Sequence, residues 1–384
     1  MSSALTVAKP KTSSLKTALQ NAAVAIVATI ISLAGIEICL RVWGPDVLAL
    51  GDINVFYRYD PVLGWDNLPN AHGYLTRAEY RTEVSNNSVG MRDVEIGEKQ
   101  RGEYRIAFLG DSFTWGVGVS YGERFTEIAE KLDPDIRSLN FGVSGFSPVQ
   151  YLLQIDRVFA LKPDYVVLVF CLGNDLTDNV EYRPYDHPKP YAKLSSDSTR
   201  FEIAGYPLPV SEQGPALFGA NSSLRTVGLI KRVVDSWAKP RVGMVGIYAE
   251  SLRSLYLPTN ILTPAERDVI ASLYKINELL IDTIRNKVDA EIGPHRFAVA
   301  LAPTQFEYLP ATHDFDPNAV HDGVLASLRR LNIPVIDGEP VITPSDFWER
   351  DSHWRPSGHR KFGELLAKYL ANVPDHAALA ATHP

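Results

Sequence analysis

The feature that most constrains the fold is the alternation of short apolar runs with amphipathic stretches between residues 104 and 372. The apolar runs predict five strands, at Tyr104–Leu109, Ile136–Asn140, Tyr165–Cys171, Phe297–Ala302 and Pro334–Ile336. The amphipathic spacing predicts helices at about 124–132, 148–160, 263–289, 318–331 and 357–372. Strands separated by helices are typical of a parallel sheet with crossover connections. We therefore expect one three-layer α/β/α domain with a five-stranded parallel sheet.

The composition excludes several classes of protein. Of the 384 residues, 45% are hydrophobic and 22% are charged, which excludes a disordered chain, a collagen and a coiled coil. The net charge of −7 gives no sign of the strongly basic face of a nucleic-acid-binding protein. The two cysteines, Cys39 and Cys171, cannot form a disulfide framework. Folding is therefore not expected to depend on oxidation.

The N-terminal part of the chain contains an uncharged apolar stretch at residues 17–36. A helix of this length spans about 30 Å, the thickness of a bilayer core. Three lysines and no acidic residue precede it, so the positive-inside rule predicts a cytoplasmic segment at 1–16 and a transmembrane anchor at 17–40. The chain from residue 45 onward would then be periplasmic or extracellular. A cleaved signal peptide is the alternative, but its apolar region is normally about 7–15 residues and followed by an A-x-A-like site.

Three segments fall outside the regular alternation. Residues 45–103 are rich in turn signals and are expected to form an irregular lead-in with short strands. Residues 176–245 form a long insertion into the predicted α/β domain at 104–372, and the prolines and aromatic residues of this insertion favour an ordered segment. Within it, Ser222–Trp237 has a helical, basic pattern, as expected for a surface helix or for a helix on anionic lipid. Residues 373–384 are predicted to be a polar tail.

Candidate catalytic residues follow the first three predicted strands and precede the last helix. Ser112, Gly145 and Asn174 follow the strands. Asp351 and His353 stand in residues 337–356, between the fifth predicted strand and the last predicted helix, which we call the late loop. Ligands of parallel sheets bind at the carboxyl ends of the strands, where backbone and amide N–H groups can stabilise an oxyanion. A neutral imidazole held by a carboxylate can take a proton from a serine hydroxyl. Each motif alone is also consistent with a turn or a helix cap, so the hypothesis depends on the combination.

His353 is the only histidine with this setting. His359 begins the last helix and is predicted to be structural, while His376 and His383 are placed in the polar tail. The histidines that lack a comparable frame are His187, His295, His313 and His321.

The four motifs together resemble the blocks of the SGNH/GDSL hydrolase superfamily. The resemblance covers roughly residues 104–372 and implies a flavodoxin-like fold with strand order 2-1-3-4-5. It also implies ester hydrolysis or acyl transfer through a serine acyl-enzyme, with Ser112 as nucleophile, His353 as base and Asp351 as its partner. The oxyanion hole that it implies consists of three donors, the Ser112 N–H, the Gly145 N–H and the Asn174 side chain. Gly142 is the alternative donor in the second block.

Two departures from the common pattern suggest a subgroup. The last block is usually Asp-x-x-His, whereas this chain has Asp351-x-His353, a spacing similar to that of membrane-linked relatives in polysaccharide O-acetylation such as the alginate acetylation proteins. The motifs Asp60–Trp65 and Asn87–Arg92 look like the preface of a bacterial subgroup that bears G-D-S-F-T-x-G. The resemblance implies no particular substrate for that subgroup.

No metal or cofactor is expected. The carboxylate pairs Asp133/Asp135 and Asp175/Asp178 have no histidine support and are interpreted as solvated loop residues. The glycines after Ser112 lack the Lys-Ser/Thr ending of a phosphate-binding loop.

The sequence thus predicts a membrane-anchored serine esterase whose substrate is an acylated, most simply O-acetylated, envelope or extracellular glycan. The aromatic insertion can reach the site, and Tyr182, Tyr185, Tyr191 and Tyr206 can stack on sugar rings or pack on one another. The alternatives are an O-acetyltransferase of polysaccharides, a lipid esterase and a catalytically silent glycan-binding protein. No nucleic-acid partner is expected.

Overall fold

The computed structural model describes residues 12–42, 56–208, 226 and 253–376. Contacts divide the chain into two units, residues 1–50 with 222–240, and residues 51–221 with 241–384. In the first unit, helix α1 (Thr12–Val42) contains the stretch Lys16–Leu40, which is long and apolar enough to cross a membrane. Membrane anchors and signal sequences share this property. Thr226 donates hydrogen bonds from its N–H and its hydroxyl to Glu37 of α1. The rest of the helix predicted at Ser222–Trp237 lies outside the described residues.

The second unit contains strands and helices at the following positions. The strands are β1 (Tyr57–Asp60), β2 (Gly64–Asn67), β3 (His72–Thr76), β4 (Arg81–Ser85), β5 (Tyr104–Gly110), β6 (Ile136–Gly142), β7 (Tyr165–Cys171), β8 (Tyr191–Leu194), β9 (Phe201–Ala204), β10 (Phe297–Ala302) and β11 (Val335–Asp337). The helices are α2 (Ser112–Trp115), α3 (Phe125–Leu132), α4 (Pro148–Leu153), α5 (Ile155–Phe159), α6 (Asp175–Asp178), α7 (Pro264–Ile292), α8 (Ala319–Arg330) and α9 (Pro356–Leu370).

The predicted five-stranded parallel sheet is confirmed. Its strands lie in the order β11-β10-β7-β5-β6, all paired in parallel, which is the order 2-1-3-4-5. In the register of β5 with the edge strand β6, Gly110 at the end of β5 stands beside Gly142 at the end of β6. The loops after β5, β6 and β7 therefore leave the sheet at one edge, which is where the candidate residues are found.

Both faces of the sheet are buried, which explains why the strands are continuous apolar runs. Along β5, Ala107 and Leu109 pack into the core that includes α4, α5, α7 and α8. Ile106 and Phe108 point the other way, into the core formed with α3 and α9. Helix α7 begins at the predicted cap, where the Thr263 hydroxyl accepts the Glu266 N–H at 3.3 Å.

The helical pattern predicted at about 148–160 is present as two short helices, α4 and α5, which meet at Gln154 (φ −91°, ψ −2°). The prediction for the end of the chain is wrong. The polar tail does not begin at residue 373, because Val373 and His376 are buried. The His376 ring lies 4.8 Å from the Tyr104 ring, and its Nε2 is 3.5 Å from Asp133, so this end of the chain packs back onto the start of β5.

The lead-in and the described part of the insertion each add small antiparallel pairs. In the lead-in, β1 pairs with β2 and β3 with β4, while β8 and β9 form a hairpin in the insertion. The insertion is joined to the lead-in where Leu208 donates its N–H to Pro61 at 2.8 Å and accepts from the Tyr59 hydroxyl. Leu208 is buried, so residues 181–208 belong to the packed fold.

Candidate active site

Ser112, His353 and Asp351 form one chain of hydrogen bonds at the carboxyl edge of the sheet. The Ser112 Oγ lies 2.8 Å from His353 Nε2, and His353 Nδ1 bonds to Asp351 Oδ1. With the ring protonated on Nδ1, the free Nε2 is placed where it can accept the serine proton, as a general base must. The 241-residue separation of Ser112 and His353 shows that the fold, not the local sequence, makes this pair.

The turn into α2 holds the serine in place. Asp111 caps the helix, and its Oδ1 accepts the Phe113 N–H at 2.9 Å. The Ser112 hydroxyl is 3.4 Å from Asp111 Oδ2, so its shorter contact is with His353. Helix α2 ends after one turn because Gly116 adopts a left-handed conformation (φ +86°), which a glycine reaches without strain. Ser112 is thus fixed at the first position of a short helix, with its N–H free of the helix ladder.

The surroundings of the histidine make it a stronger base than usual. Burial acts to lower the pKa of His353, but the charge of Asp351 and its hydrogen bond outweigh burial and raise the pKa above its ordinary value. Burial acts to raise the pKa of Asp351, but the charge and hydrogen bond of His353, the Tyr80 hydroxyl and the Arg77 charge together hold it below its ordinary value. Asp351 therefore stays ionised and favours the imidazolium that proton transfer creates.

The short Asp351-x-His353 spacing requires an unusual turn. Ser352 has φ +52°, and the His353 N–H bonds to the Asp351 carbonyl at 2.6 Å, two residues back. A three-residue turn with a positive central φ is rare and strained for a residue with a side chain. The turn is closed by two bonds to one residue, since Trp348 donates to the His353 carbonyl at 2.9 Å and accepts from the Ser352 N–H at 3.2 Å.

In the second block the structure distinguishes the two glycines that could serve as oxyanion donors. The Gly142 N–H bonds to Asn140 Oδ1 at 2.9 Å and ends β6, so it is already engaged. Gly145 has φ +78°, and a side chain there would meet the Trp65 ring at 3.0 Å and the Tyr185 ring at 3.3 Å. No hydrogen bond of the Gly145 N–H is found within the described parts of the chain. The geometry therefore favours Gly145 over Gly142 as the candidate oxyanion donor.

Asn174 stands at the start of α6, directly after β7. Its Nδ2 donates one hydrogen to Asp178 Oδ2 at 3.2 Å, which fixes the amide and leaves the second hydrogen for a ligand. The same oxygen accepts the Tyr185 hydroxyl at 2.8 Å. Fully buried Lys189 supplies the compensating charge, and burial lowers its pKa to about 8. The insertion thus supports the residue that was predicted from the third block.

Asp175 and Asp178 are not solvated loop carboxylates, so that interpretation is wrong. Both are buried in α6, where Asp175 accepts the Cys171 N–H at 3.0 Å and the Tyr151 hydroxyl at 3.2 Å. Burial raises the pKa of both carboxyl groups. No cluster of three or more His, Cys, Asp or Glu side chains suited to a metal occurs among the described residues.

Sequence reasoning missed the lead-in residues that support the first two blocks. The Trp65 indole donates to the Ser144 carbonyl at 2.9 Å, and Asn67 bridges the Gly142 carbonyl and the Trp115 indole, both at 3.1 Å. Buried Arg92 binds the carbonyls of Trp115, Gly116, Val119 and Glu83 at 2.6–3.0 Å. The motifs Asp60–Trp65 and Asn87–Arg92 were the available signal, although sequence alone gave them no structural role.

The loop between β3 and β4 reaches the triad itself. We call residues 77–80 the hairpin tip. The Tyr80 hydroxyl bonds to Asp351 Oδ2, and Arg77 Nε lies 3.9 Å from the same oxygen. No sequence signal marked either residue.

The predictions for two histidines outside the triad have different outcomes. His359 is structural as predicted, since it is buried, stacks on Phe125 and accepts its N–H at 3.3 Å. The prediction that His321 lacks a carboxylate frame is wrong, because its Nε2 lies 3.0 Å from Asp337 and its Nδ1 3.2 Å from Asp322. The hydrogen bond to Asp337 raises the pKa of His321 to about 9. The α8–β11 crossover, which brings Asp337 close, could not be seen in the local sequence.

The four tyrosines of the insertion have different surroundings. Tyr182 and Tyr191 are half-buried with ring centroids 5.7 Å apart, and Gly205 lets both approach closely. Tyr185 and Tyr206 are exposed, and Tyr185 stands against Gly145 with an uncommon φ of +58°. One exposed aromatic ring therefore adjoins a candidate oxyanion donor.

Comparison with known proteins gives similar solved structures only. No family model and no curated protein matches the chain. A lipolytic protein of the G-D-S-L family from Desulfitobacterium hafniense is 14% identical, with 70% of this chain and 100% of that chain covered and a TM-score of 0.36. The M. smegmatis aryl esterase is 14% identical over 70% and 99%, with a TM-score of 0.34. A GDSL-like lipase from Bacteroides thetaiotaomicron is 12% identical over 71% and 90%, with a TM-score of 0.35.

Two of these names carry the G-D-S-L designation of the superfamily that the four motifs resemble. The observed sheet order and the hydrogen-bonded Ser112, His353 and Asp351 define the class that the site fits, an α/β protein with a serine–histidine–aspartate triad at the carboxyl edge of its sheet.

Proposed function

We propose that the protein is a serine esterase that works through an acyl-enzyme. The observation that supports this most is the continuous hydrogen-bond chain from Ser112 through His353 to Asp351. His353 takes the Ser112 proton while Oγ attacks the ester carbonyl, and then gives that proton to the departing alcohol. In the second half His353 takes a proton from the attacking water and returns it to Ser112 Oγ as the acyl–Oγ bond breaks and the acid leaves.

The oxyanion of each tetrahedral intermediate would be held by three donors on three neighbouring strand ends. They are the N–H groups of Ser112 and Gly145 and the second amide hydrogen of Asn174. Such donors act when charge develops on the carbonyl oxygen, so they lower the barrier more than they strengthen substrate binding.

The proposal is tested by labelling and turnover. The full chain in detergent should react with a fluorophosphonate at Ser112 and hydrolyse p-nitrophenyl acetate, and Ser112→Ala should lose both. Ser272→Ala is the matched control, because half-buried Ser272 on α7 donates its hydroxyl to the Asp268 carbonyl one turn back, at 2.8 Å. A label on a different serine, or full turnover by Ser112→Ala, would show that the nucleophile is wrong.

We further propose a membrane-anchored enzyme with its catalytic unit outside the cytoplasm. Support comes from the length and composition of Lys16–Leu40 and from the three preceding lysines. A reporter that works only outside the cytoplasm, fused after Pro384, should be active, and fractionation should retain the full chain in membranes. A processed, soluble form in native cells would instead identify a cleaved signal sequence.

The proposed substrate is an O-acylated, most simply O-acetylated, glycan of the envelope, as in the subgroup that the Asp351-x-His353 spacing resembles. The exposed Tyr185 ring beside Gly145 supports a sugar subsite, because aromatic faces pack well on the apolar faces of sugar rings. Tyr185→Ala removes the ring and also the hydrogen bond to Asp178 that supports Asn174, so kcat should fall on both esters. KM should rise for acetylated oligosaccharide and not for p-nitrophenyl acetate, and exposed Tyr74→Ala is the control. A KM that rises equally for both esters, or for neither, would contradict the sugar subsite.

Hydrolysis and transfer share the acyl-enzyme, so an acceptor assay must separate them. Enzyme, p-nitrophenyl acetate and an oligosaccharide acceptor are combined, and acetate and acetylated oligosaccharide are both measured. We expect free acetate at every acceptor concentration. Acetylated oligosaccharide that rises with acceptor and vanishes in Ser112→Ala would make the protein an O-acetyltransferase.

A further inference from the structure

The hairpin tip is bound to the loop that carries the triad acid and base. Glu79 Oε1 accepts the Glu349 N–H at 3.0 Å, and its Oε2 accepts the Arg350 N–H at 2.7 Å. The next residue, Tyr80, donates its hydroxyl to Asp351 Oδ2 and packs its ring 5.3 Å from that of Trp348. Three successive residues of the late loop are therefore held by two residues of the lead-in, the first two through their backbone N–H groups and Asp351 through its carboxylate.

This contact lies where the late loop most needs support. The turn at Ser352 has a positive φ, and such a conformation persists only when the surroundings hold it. The two carboxylate oxygens of Asp351 have separate partners, since Oδ1 faces His353 Nδ1 and Oδ2 faces the Tyr80 hydroxyl. A carboxylate bonded through both oxygens cannot rotate without breaking a bond, so the Tyr80 contact fixes the orientation of Oδ1.

We propose that Tyr80 is a positioning residue of the triad, whose hydroxyl holds the Asp351 carboxylate in the orientation that keeps His353 aligned with Ser112. This inference rests on the proposed esterase function. Tyr80 remains a donor across the working range of pH, because burial and the adjoining Asp351 charge raise the pKa of its hydroxyl. The hairpin tip thereby supplies a fourth member of the hydrogen-bond chain.

The expected change in pH dependence follows from the groups that face the pair. Asp351 is faced by His353 on its own loop and by Tyr80 and Arg77 of the hairpin tip. The Glu79 charge acts on the Tyr80 hydroxyl, and His353 is also near the Asp111 carboxyl. Asp351 is the main group that raises the pKa of His353 against burial. If the carboxylate loses its fixed orientation, the effect of burial remains and the pKa of His353 falls.

The test compares Tyr80→Phe with the wild-type full chain in detergent. The ring and its packing on Trp348 are kept, so only the hydroxyl is removed. We expect kcat for p-nitrophenyl acetate to fall about 10-fold to 100-fold, the size expected for a hydrogen bond to a charged group, with KM within about 2-fold. The acid limb of the kcat/KM profile should move to lower pH. Tyr74→Phe, on strand β3 of the same hairpin, is the matched control and should leave both unchanged.

A second variant separates the hydrogen bond from charge. Arg77→Met removes a positive charge 3.9 Å from Asp351 Oδ2 but keeps the Tyr80 hydroxyl. The acid limb should then move to higher pH, opposite to Tyr80→Phe, with kcat within about 3-fold because the carboxylate remains oriented. Tyr80→Phe with wild-type kcat, or with an acid limb moved to higher pH, would overturn the proposal.

A readout without turnover keeps this inference separate from the esterase proposal. In the full chain labelled with ¹⁵N-histidine, the His353 resonances are assigned by their absence in His353→Gln and titrated in wild type and Tyr80→Phe. A lower pKa of His353 in Tyr80→Phe supports the positioning role even if no ester is hydrolysed, an outcome that would refute only the esterase. An unchanged titration refutes the positioning role whatever the activity.

Discussion

Replacing Asn174 by alanine tests the oxyanion site most directly. The amide stands after β7, and Asp178 holds one of its two hydrogens at 3.2 Å, so the other has a fixed direction. Of the three proposed donors it is the only side chain, and therefore the only one that a substitution can delete without changing the backbone. Removing one such donor costs about 10²–10³ in kcat, or about 2.7–4 kcal/mol of transition-state stabilisation.

The structure also indicates which kinetic constant should change. The donor acts on charge that develops after attack, so kcat should fall while KM stays within about 2-fold. Ser112 and His353 are untouched, so fluorophosphonate labelling should be slower but still complete. The Asp178 carboxylate keeps the Tyr185 hydroxyl at 2.8 Å, which limits the structural effect of the change.

The assay is p-nitrophenyl acetate hydrolysis over a range of substrate concentrations, with thermal unfolding measured in parallel. Asn372→Ala is the matched control, because the amide of exposed Asn372 donates to the Lys368 carbonyl one turn back, at 2.7 Å. A normally folded Asn174→Ala protein whose kcat lies within 2-fold of wild type would mean that Asn174 only caps α6. A raised KM with unchanged kcat would place the amide in ground-state binding.

Three further outcomes are expected. The raised pKa of His353 should place the acid limb of kcat/KM above pH 6.5, near which an ordinary histidine titrates, and a limb below pH 6 would contradict the described site. Arg92→Met should lower the free energy of unfolding by at least about 3 kcal/mol, because several buried carbonyls lose their donor, whereas exposed Arg101→Met should change it little. The folded-state pKa of His321 is raised to about 9, so its stabilising effect is complete below pH 6.5 and is lost as pH rises through about 9. Thermal unfolding from pH 6 to 10 should show this loss, and His321→Asn should flatten the curve within that window.

The parts of the fold that could be predicted are those that depend on residues close together in the sequence. Strand β7 and strand β10 have the bounds that their apolar runs predict, since a strand buried on both faces needs an unbroken run. The start of α7 was also predictable, because its cap is a local contact between Thr263 and Glu266, three residues further on. The proximity of Ser112 and His353 was predicted through a resemblance, and the local sequence alone could not have given it.

What sequence reasoning missed consists of contacts between distant segments. Trp65 and Arg92 support loops that follow strands β5 and β6, yet neither looks different from an ordinary turn or surface residue. Gln154 interrupts a helical pattern without a proline or glycine to signal it. His376 lies beside Tyr104 although the surrounding tail is polar, because packing and not composition decides whether a terminal segment is buried.

The contact between the hairpin tip and the late loop also determines when, during synthesis, the active site is complete. Tyr80 and Asp351 are 271 residues apart, and contacts of such separation form late, because much of the chain must be ordered before the ends of so long a loop meet. Ribosomes release the N-terminus first, so the lead-in and the nucleophile emerge well before the acid and base. A nascent chain that ends before residue 348 carries Ser112 without its base and without the loop that the hairpin tip holds. Enzymatic activity should therefore appear in a single step near the end of synthesis. Nascent chains truncated at residue 340 should not react with a fluorophosphonate, whereas chains truncated at residue 376 should react fully.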